Sequence, residues 1–490
     1  MSRRVAVIGA GIGGLAAAIR LASAGCRVEV FEALAAAGGK AGTASSDGVT
    51  FDTGPSLLTM PEVFDDLFRC AGTSLAAEVA LVDPSPAFRY LWPDGATVDL
   101  YRRPEETLCS VERALGAAAA RELERYLGYA REIWEASDEA FVSGAAPTLG
   151  GLLRMGPATL AKFRKIDPMR SMERAIRSYI SEPHLRDICL RYATYNGSDP
   201  RVAPATLNCI GWVELGLGGY GVQGGLYALV EALVRIAERQ GVVFHFGARV
   251  EEVVRSGRQV RGLRLAGGAT VEADAVVANA DASHLHARLL GEHAAEAPLA
   301  PSTSGMTLVL RAARSDARVA HTVLFPSDYG AEFADMFDSN RPPEEPTVYL
   351  CAQSRSHLRA GWADAEPLFA MANAPAEPAS GSSPAETWDA LESRMLARAR
   401  GAGLVHATDE VVWRRSPTDL AALFPDTRGA LYGAASNDRF AAFRRPANRS
   451  SLVDGLFLAS GSAHPGGGLP LCALSGRRAA LEAGRFLGLP

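Results

Sequence analysis

The pattern of apolar and polar positions is most regular at the start of the chain. Val5–Ile8 is a short apolar run that predicts a buried strand, and the alanine- and leucine-rich stretch Leu15–Ala24 predicts a helix that ends at Gly25. Arg27–Phe31 predicts a second strand. Together these segments predict a strand–helix–strand unit, the building block of a parallel sheet with helices on its faces.

Later patterns predict further strands and helices. Residues 86–101 alternate like a hairpin, and Pro104 is expected to begin one long helix. The stretch Val271–Ala280, which reads VEADAVVANA, predicts a single buried parallel strand that ends at Asn279. Ser383-Pro384-Ala385-Glu386 has the pattern of a capping box, in which Ser383 and Glu386 would satisfy the start of another helix.

The turn between the first strand and the first helix has the pattern G-x-G-x-x-G. Gly9 permits a tight turn, Gly11 lets the backbone approach a pyrophosphate, and Gly14 lets the helix pack against the sheet. Gly13 lies in the same turn, and the helix amino terminus offers free N–H groups to phosphates. Glu32, at the end of the second strand, is expected to accept hydrogen bonds from ribose hydroxyls. The unit therefore predicts a dinucleotide site.

A second glycine pair, Gly38-Gly39, precedes Lys40, whose charge could neutralise a diphosphate. This extension resembles a motif of flavoproteins with two dinucleotide-binding domains, and the resemblance implies FAD. Gly54-Pro55 is a rigid bend suited to lie against a flat ring. In the same flavoprotein layout, Val250 would meet the adenine through its backbone and Asn279 would end a strand at the cofactor.

The last element repeats the arrangement of the first. An apolar strand runs into a glycine-rich turn and then into a helix predicted over Leu471–Gly484. Gly461 and Ser462 are expected near the diphosphate or ribityl chain, and Gly468 and Leu469 near the isoalloxazine. The two ends of the chain are therefore predicted to build one site, with the middle folded around it.

Composition limits the class of protein. The chain has 490 residues, enough for two domains, and its net charge of −5 gives no sign of a nucleic-acid partner. Seven scattered cysteines without C-x-x-C pairs, and the absence of a signal peptide, predict a cytoplasmic protein with reduced thiols. His284 and His286 have no nearby carboxylate or cysteine in the sequence, so no metal site is expected.

Residues 152–180 interleave apolar side chains with seven cations that only Asp167 and Glu173 oppose. Such a segment can lie on an anionic membrane surface. It can equally be an amphipathic helix of a substrate domain with a solvated arginine face. The sequence leaves both interpretations open.

With the motifs in this order, the chain resembles the bacterial carotenoid desaturases of the phytoene-desaturase type. The terminal His464-Pro465-Gly466-Gly467-Gly468 turn is the most specific match, and residues 92–95 and 191–195 resemble 1-hydroxycarotenoid 3,4-desaturases. The resemblance implies an α/β fold of the Rossmann-like, amine-oxidase-like flavoprotein type with an inserted α+β substrate domain. It implies FAD-binding parts at 1–90, 221–284 and 416–490, a substrate and membrane-associating part at 91–220, and a second substrate part at 285–415.

The resemblance also implies the chemistry. Such enzymes bind FAD and introduce a double bond into a lipophilic carotenoid, and the flavin is reoxidised by oxygen or by a membrane quinone. Because the substrate dissolves in membranes, the protein is expected to be peripheral on the inner face of the cell membrane. Cys472 is the only cysteine near the terminal turn, and non-covalent FAD is expected.

Other readings of the same residues remain open at this point. His464 could accept a proton or serve as a turn residue bonded to backbone, and no catalytic residue is assigned. Within enzymes, the alternatives are a phytoene desaturase, a carotene isomerase, and an amine or protoporphyrinogen oxidase. A prenyl-lipid carrier of the GDP-dissociation-inhibitor kind would share the fold without flavin chemistry, but the intact glycine set argues against it.

Overall fold

The chain is described from a computed structural model, which covers residues 3–138, 142–147, 165–291 and 299–489. Over these ranges it forms two main sheets, a five-stranded parallel sheet and a seven-stranded mixed sheet, with smaller sheets between them. We call the first the nucleotide sheet and the second the large sheet. The predicted segment 152–180 lies partly outside the described residues.

The nucleotide sheet is built from distant parts of the chain. In spatial order, its strands are Val243–Phe246, Arg27–Glu32, Arg4–Ile8, Ala275–Ala278 and Leu456–Leu458. All four pairings are parallel. Parallel strands have their carboxyl ends at one edge of the sheet, so the turns that follow these strands gather at that edge.

Both faces of the nucleotide sheet are covered, as expected for a parallel sheet. Successive residues of its central strand enter different apolar clusters: Val5 and Val7 face one cluster, whereas Ala6 and Ile8 face the other. The first helix, Ile12–Ser23, and the last helix, Leu469–Leu487, pack on the first face and against each other.

The large sheet carries the other half of the molecule. In spatial order, its strands are Glu410–Arg415, Ser304–Ala313, Ala365–Ala374, Val348–Ala352, His321–Leu324, Phe88–Leu91 and Thr97–Leu100. Its pairings are antiparallel except that of His321–Leu324 with Phe88–Leu91. One face packs on Trp388, Leu391 and Met395, and its far end adjoins an aromatic cluster that includes Tyr90 and Phe325.

Three smaller sheets complete the strands seen in the described ranges. They consist of Val250–Ser256, Gln259–Leu265 and Thr270–Glu272; of Thr43–Ser46 and Val49–Asp52; and of Leu58–Thr59, Gly219–Val222 and Leu81–Val82. The further α-helices are Pro61–Cys70, Leu75–Glu78, Pro104–Leu115, Ala117–Ser137, Met172–Tyr179, Pro183–Arg191, Cys209–Leu215, Tyr227–Arg239, Ala282–His284, Tyr329–Phe333, Gln353–Ser356, Ala385–Gly401, Pro417–Leu423 and Ala441–Arg444. Tyr192–Asn196 and Ala205–Asn208 are 3₁₀ turns, and Leu285–Leu289 and Ala334–Asp338 are π turns.

Three local predictions are wrong. The single long helix expected from Pro104 is broken at Gly116, whose φ of 93° lies in the region that glycine tolerates. The strand expected over Val271–Ala280 is two strands, because Asp274 interrupts it to accept a hydrogen bond from the Arg4 N–H.

The capping box expected at Ser383 also does not form. The N–H and the hydroxyl of Ser383 both donate to the Glu377 carboxylate instead, each at 2.7 Å. A capping box is present at Ser416 with Asp419, where the serine begins the helix Pro417–Leu423.

Within the described ranges, no helix has both the length and the apolar character that crossing a bilayer requires. The apolar positions of the described part of the 152–180 segment face inward: Ile166, Met172 and Ile176 are buried. Met169 is the exception, with 73% of its surface exposed.

Candidate functional site

The glycine turn at residues 9–14 wraps around the side chain of Asn279, which follows the neighbouring strand. A Cβ atom at Gly11 would lie 2.5 Å from Asn279 Oδ1, and one at Gly14 would lie 2.2 Å from the carbonyl oxygen of Gly9. The Asn279 amide donates to the Ala459 carbonyl. The structure therefore places Asn279 beside the predicted turn, where its side chain lies against the backbone of the turn.

Two helices begin at this edge with uncapped amino termini. The first starts after Gly11 and the last after Gly468, and neither has a side-chain cap or an acidic residue in its first turn. The unpaired N–H groups and positive dipole ends of such helices bind phosphate oxygens. A Cβ atom at Gly468 would meet no atom within 4 Å, so open space lies beside this helix start.

Glu32 is buried against the glycine turn. Its Oε2 accepts a hydrogen bond from the Ala10 N–H at 2.7 Å, and its Oε1 accepts one from the Leu34 N–H at 2.8 Å. A carboxylate has more acceptor positions than these two bonds use. Glu32 is therefore held in place beside the turn with capacity left for ribose hydroxyls.

The second glycine pair lies directly on the first turn. The Gly38 N–H donates to the Ala10 carbonyl at 2.9 Å, and a Cβ atom at Gly39 would lie 3.6 Å from Gly11 Cα. Gly38 and Gly39 both have positive φ angles, at 114° and 59°. The predicted extension of the phosphate cradle thus has the backbone conformation that only glycine adopts readily.

The Lys40 ammonium is directed at backbone carbonyls. Its Nζ donates to Ala430 at 2.7 Å and to Leu431 at 2.9 Å, and it lies 5.5 Å above the ring of Phe424. Burial lowers the pKa of Lys40 from its usual value. Lys40 thereby ties the glycine pair to residues 430–431, while its contact with a diphosphate stays a prediction.

Gly54-Pro55 follows the strand Val49–Asp52 and touches the same loop. A Cβ atom at Gly54 would lie 2.2 Å from the Lys40 carbonyl oxygen, so only glycine fits there. Before this bend, the Asp52 carboxylate accepts from the Leu226 N–H at 2.6 Å and from Arg359 at 3.0 Å. Burial raises the pKa of Asp52, and the Arg359 charge opposes this rise.

The terminal turn closes the site from the other side. A Cβ atom at Gly13 would lie 2.0 Å from the Ala459 carbonyl oxygen, and one at Gly476 would lie 2.3 Å from the Gly13 carbonyl oxygen. A Cβ atom at Gly461 would lie 3.2 Å from Gly467 Cα. The two ends of the chain are thus in direct backbone contact.

Ser462 and Leu469 occupy the two ends of this turn. The Ser462 hydroxyl accepts from the Ala282 N–H at 2.7 Å and bonds to the Ser460 hydroxyl at 2.9 Å. Leu469 is the first residue of the last helix and is half-buried. Ser462 is therefore engaged by the protein, whereas Leu469 borders the open helix start.

The predicted adenine contact, Val250, lies further along the edge. The Ala248 N–H donates to the Glu32 carbonyl at 2.8 Å, two residues before Val250, which is itself buried. The ring of His245 stacks on Phe31 with centroids 4.6 Å apart. Val250 therefore lies close to the ribose-binding position predicted at Glu32.

Two buried side chains that the sequence analysis missed hold the terminal turn. Arg445 donates to the carbonyls of Gly461 at 2.9 Å and Ala434 at 3.0 Å, and burial lowers the pKa of Arg445 to about 10. Asn448 donates to the carbonyls of His464 and Leu458. Their partners are backbone carbonyls 10 to 16 residues away, which no motif in the sequence marks.

His464 is buried within the turn, and Cys472 is half-buried beside it. His464 Nε2 bonds to the Gly144 carbonyl at 3.2 Å, and burial lowers the pKa of His464 to about 4. The histidine is thus the backbone-bonded turn residue that was one of the two open interpretations. Burial raises the pKa of the Cys472 thiol to about 11. His284, away from the turn, pairs with Asp426 at 2.8 Å.

The site as a whole fits a dinucleotide cofactor. This edge of the nucleotide sheet brings together two helix starts without side-chain caps and glycines at which a side chain would clash with backbone. It also holds the Glu32 carboxylate beside the turn. Thr53 Oγ1, next to the Gly54 bend, is a buried polar atom without a partner in the described part of the chain. Such an atom is costly to bury unless a ligand or water completes its hydrogen bonds.

Comparison with known proteins agrees with this geometry. Residues 12–483 match the model of the family described as flavin containing amine oxidoreductase. The chain is 36% identical to a hydroxyneurosporene desaturase of Rubrivivax gelatinosus over 98% of its length and 93% of that protein. It is 33% identical to a 4,4'-diapolycopene oxygenase of a Methylomonas species over 97% of both chains.

Among solved structures, an oxidoreductase from Methanosarcina mazei superimposes with a TM-score of 0.62 at 15% identity, covering 98% of this chain and 100% of that one. At this identity the likeness concerns the fold alone. Together with the family match, it confirms the predicted amine-oxidase-like α/β fold.

Proposed function

The chain belongs to the family of flavin containing amine oxidoreductases, and we propose that it uses FAD to introduce a double bond into an acyclic, 1-hydroxylated carotenoid. The similarity to a hydroxyneurosporene desaturase carries this proposal, because it extends over 98% of the chain. It therefore includes the substrate part as well as the glycine turns, which all members of a flavoprotein fold share.

FAD would be held by the edge of the nucleotide sheet. The turns at Gly11 and Gly39 and the two helix starts would hold the diphosphate, and Glu32 the ribose. The cofactor is proposed to be non-covalent. Because the pKa of Cys472 is raised to about 11, its thiol is protonated at neutral pH and is a poor nucleophile.

FAD would supply the hydride acceptor. The hydride would leave an allylic carbon with its electron pair, a proton would leave the adjacent carbon, and the remaining C–H electrons would become the new π bond. The polyene spreads the developing positive charge, so the protein need not supply a strong base. The chain's own task is to hold the polyene beside the bend at Gly54-Pro55 and to keep water away.

We also propose that the protein is cytoplasmic and peripheral on the inner face of the cell membrane, from which a hydrocarbon substrate would be taken. Met169 and Val202 support this, with 73% and 52% of their surfaces exposed. The two segments that carry them are joined, because the Ala205 N–H donates to the Arg170 carbonyl. Oxygen and a membrane quinone both remain candidate flavin reoxidants.

Vesicle flotation tests the membrane proposal. The double variant Met169→Ser, Val202→Ser should bind anionic vesicles more weakly than the parent protein while keeping its flavin. Leu481→Ser is the matched control, because Leu481 is 46% exposed on the last helix. Equal binding of vesicles by the parent protein, the double variant and Leu481→Ser would show that Met169 and Val202 do not contact the membrane.

Product spectra from proteoliposomes test the reaction. The protein is incubated with phytoene, neurosporene or 1-hydroxyneurosporene, with oxygen or a quinone as the acceptor. We expect the hydroxylated substrate to gain one conjugated double bond, seen as a shift of its absorption to longer wavelength. Conversion of phytoene but not of the hydroxylated substrate would instead identify a phytoene desaturase.

A further inference from the structure

A buried arginine, Arg191, is surrounded by aromatic rings. The Arg191 side chain has its Cζ 5.0 to 5.8 Å from the ring centroids of Phe88, Tyr90, Tyr195 and Tyr349. The residue is only 7% exposed. Burying a charge in this way is costly unless hydrogen bonds and an opposite charge compensate.

Within the described residues, tyrosine hydroxyls and one carboxylate supply that compensation. Both hydrogen bonds of the guanidinium leave from Nη1, to the hydroxyls of Tyr90 at 3.2 Å and Tyr195 at 2.9 Å. The Tyr195 hydroxyl in turn donates to Glu214 Oε2 at 2.7 Å. Burial opposes the charge of Arg191, but Tyr195, Tyr90 and Glu214 together raise the pKa of Arg191 above its usual value. Nε and Nη2 of Arg191 therefore remain as donors for a further partner.

The cluster adjoins the candidate flavin site. The Tyr349 hydroxyl bonds to Ser56 Oγ at 2.5 Å, and Ser56 directly follows the bend at Gly54-Pro55. Arg191 is thus separated by the Tyr349 ring, 5.7 Å from its Cζ, from a segment that borders the candidate flavin site.

His321 gives an independent sign that this region takes a polar ligand. Its ring stacks on Phe88 with centroids 4.8 Å apart, and its Nδ1 bonds to the Tyr349 hydroxyl at 2.8 Å. Its Nε2 is fully buried and has no partner in the described ranges. Burial lowers the pKa of His321 well below its usual value, so the ring is neutral.

We propose that Arg191, with Tyr195 and His321 beside it, binds the terminal oxygen of the carotenoid and thereby selects oxygenated over hydrocarbon substrates. This inference rests on the proposed function. In a 1-hydroxycarotenoid a single carbon separates the hydroxyl-bearing C1 from C3, where the new double bond begins. A group that recognises the hydroxyl must therefore lie next to the reacting carbons, which is where the cluster adjoins the flavin site.

The chemistry of these side chains suits discrimination between hydroxylated and hydrocarbon substrates. Arg191 can donate to the hydroxyl oxygen, and its charge strengthens such a bond. A hydrocarbon end of the same shape would leave the buried guanidinium without its partner. A site that hydrogen-bonds a substrate hydroxyl rejects the analogue without it far more strongly than an apolar pocket does.

The experiment compares 1-hydroxyneurosporene with neurosporene on the flavin-loaded protein. In the parent protein kcat/KM should favour the hydroxylated substrate. Arg191→Met should reduce the ratio of kcat/KM for 1-hydroxyneurosporene to kcat/KM for neurosporene by about tenfold to a hundredfold, and Tyr195→Phe should reduce it by about tenfold. The kcat/KM for neurosporene itself should change less. Arg191→Lys, which keeps the charge but not the planar group, should restore part of the ratio.

A binding measurement accompanies the kinetics. With the flavin reduced, so that no turnover occurs, the dissociation constant of each carotenoid is measured from the change in polyene absorption. The variants should weaken binding of the hydroxylated substrate alone. Tyr129→Phe is the matched control, because the Tyr129 hydroxyl donates to Asp167 in the same part of the chain. It should leave the ratio unchanged.

The possible failures are distinguishable. If the parent protein converts both carotenoids equally, or if folded, flavin-loaded variants keep the parental ratio, the inference is overturned and the proposed function stands. If the parent converts neither carotenoid, the proposed function fails and the inference fails with it. Tyr195→Phe removes a single oxygen atom, so it keeps the test decisive if Arg191→Met does not fold.

Discussion

Gly13 and Ala459 are in backbone contact, although they lie at opposite ends of the chain. A Cβ atom at residue 13 would lie 2.0 Å from the Ala459 carbonyl oxygen. The first helix therefore passes the end of the last strand so closely that glycine is required. This contact connects the strand–helix unit at the start of the chain to the terminal turn.

Gly13→Ala should therefore weaken both the fold and flavin binding. Because the obstacle is backbone that cannot rotate away, we expect a loss of about 1 to 3 kcal/mol in the free energy of unfolding. The measurements are chemical denaturation and the flavin content after gel filtration.

Gly128→Ala is the control for this substitution. Gly128 lies within the helix Ala117–Ser137, and a Cβ atom there would meet nothing within 4 Å. This change should be neutral or stabilising by up to about 1 kcal/mol. Full flavin and unchanged stability in Gly13→Ala would show that the contact can relax.

Glu32→Gln should reduce FAD affinity with little loss of fold. Glutamine keeps an oxygen for one of the N–H groups of Ala10 and Leu34 but cannot accept at both positions as the carboxylate does. We expect the dissociation constant of FAD to rise about tenfold, measured by titration of the apoprotein. Glu29→Gln, on the same strand and paired with His245, should leave it unchanged. An unaltered affinity in Glu32→Gln would argue against the ribose contact.

His464 should make the protein sensitive to acid. Its folded-state pKa of about 4 lies below the ordinary 6.5, so the unfolded chain takes up a proton as the pH falls through 6.5 while the folded protein does not until about 4. Stability should therefore fall over this interval, by roughly 2 to 3 kcal/mol from this residue. Denaturation of the parent protein and of His464→Gln at several pH values measures the effect.

His184 provides a control, because its pKa is shifted in the direction opposite to that of His464. Burial opposes its protonation, but hydrogen bonds to Glu182 and Asp94 raise the pKa of His184 above its usual value. It therefore stabilises the fold below the unfolded-state pKa, and this contribution is lost as the pH rises through the folded-state pKa. His184→Gln should thus increase the loss of stability in acid, whereas His464→Gln should reduce it. Identical pH profiles for the two variants would contradict this assignment.

Cys472→Ser should retain the flavin. The Cys472 thiol is protonated at neutral pH because burial raises its pKa to about 11, and a thioether to the flavin would require the thiolate. We expect acid precipitation of the parent protein to release all flavin into the supernatant, with the same outcome for the variant. Flavin left in the pellet of the parent, but absent from that of Cys472→Ser, would reveal a covalent link.

The sequence predicted those features whose cause is local. Gly9–Gly14 and Glu32 could be identified because a turn, a helix start and an acid at a strand end follow one another within one unit. Arg445 and Asn448 could not, since their partners are backbone carbonyls that only the folded chain brings near. The capping box predicted at Ser383 does not form for a similar reason. Its pattern is local, but the folded chain brings Glu377 close enough to accept the hydrogen bond of the Ser383 hydroxyl.

Arg191 and Lys40 show a different limit. The sequence indicates their charges, yet the consequence of each depends on surroundings drawn from distant segments. Lys40 meets the carbonyls of Ala430 and Leu431, nearly four hundred positions away in the chain. Arg191 acquires its aromatic surroundings from two separate strands and a 3₁₀ turn.

The position of the strand Leu456–Leu458 in the nucleotide sheet has a consequence for biosynthesis. During translation, the glycine turn at residues 9–14 leaves the ribosome first, but its supporting strand and the last helix are made more than four hundred residues later. The proposed flavin site can therefore be complete only once the terminal turn has been made. We accordingly expect flavin to load after synthesis of the last helix.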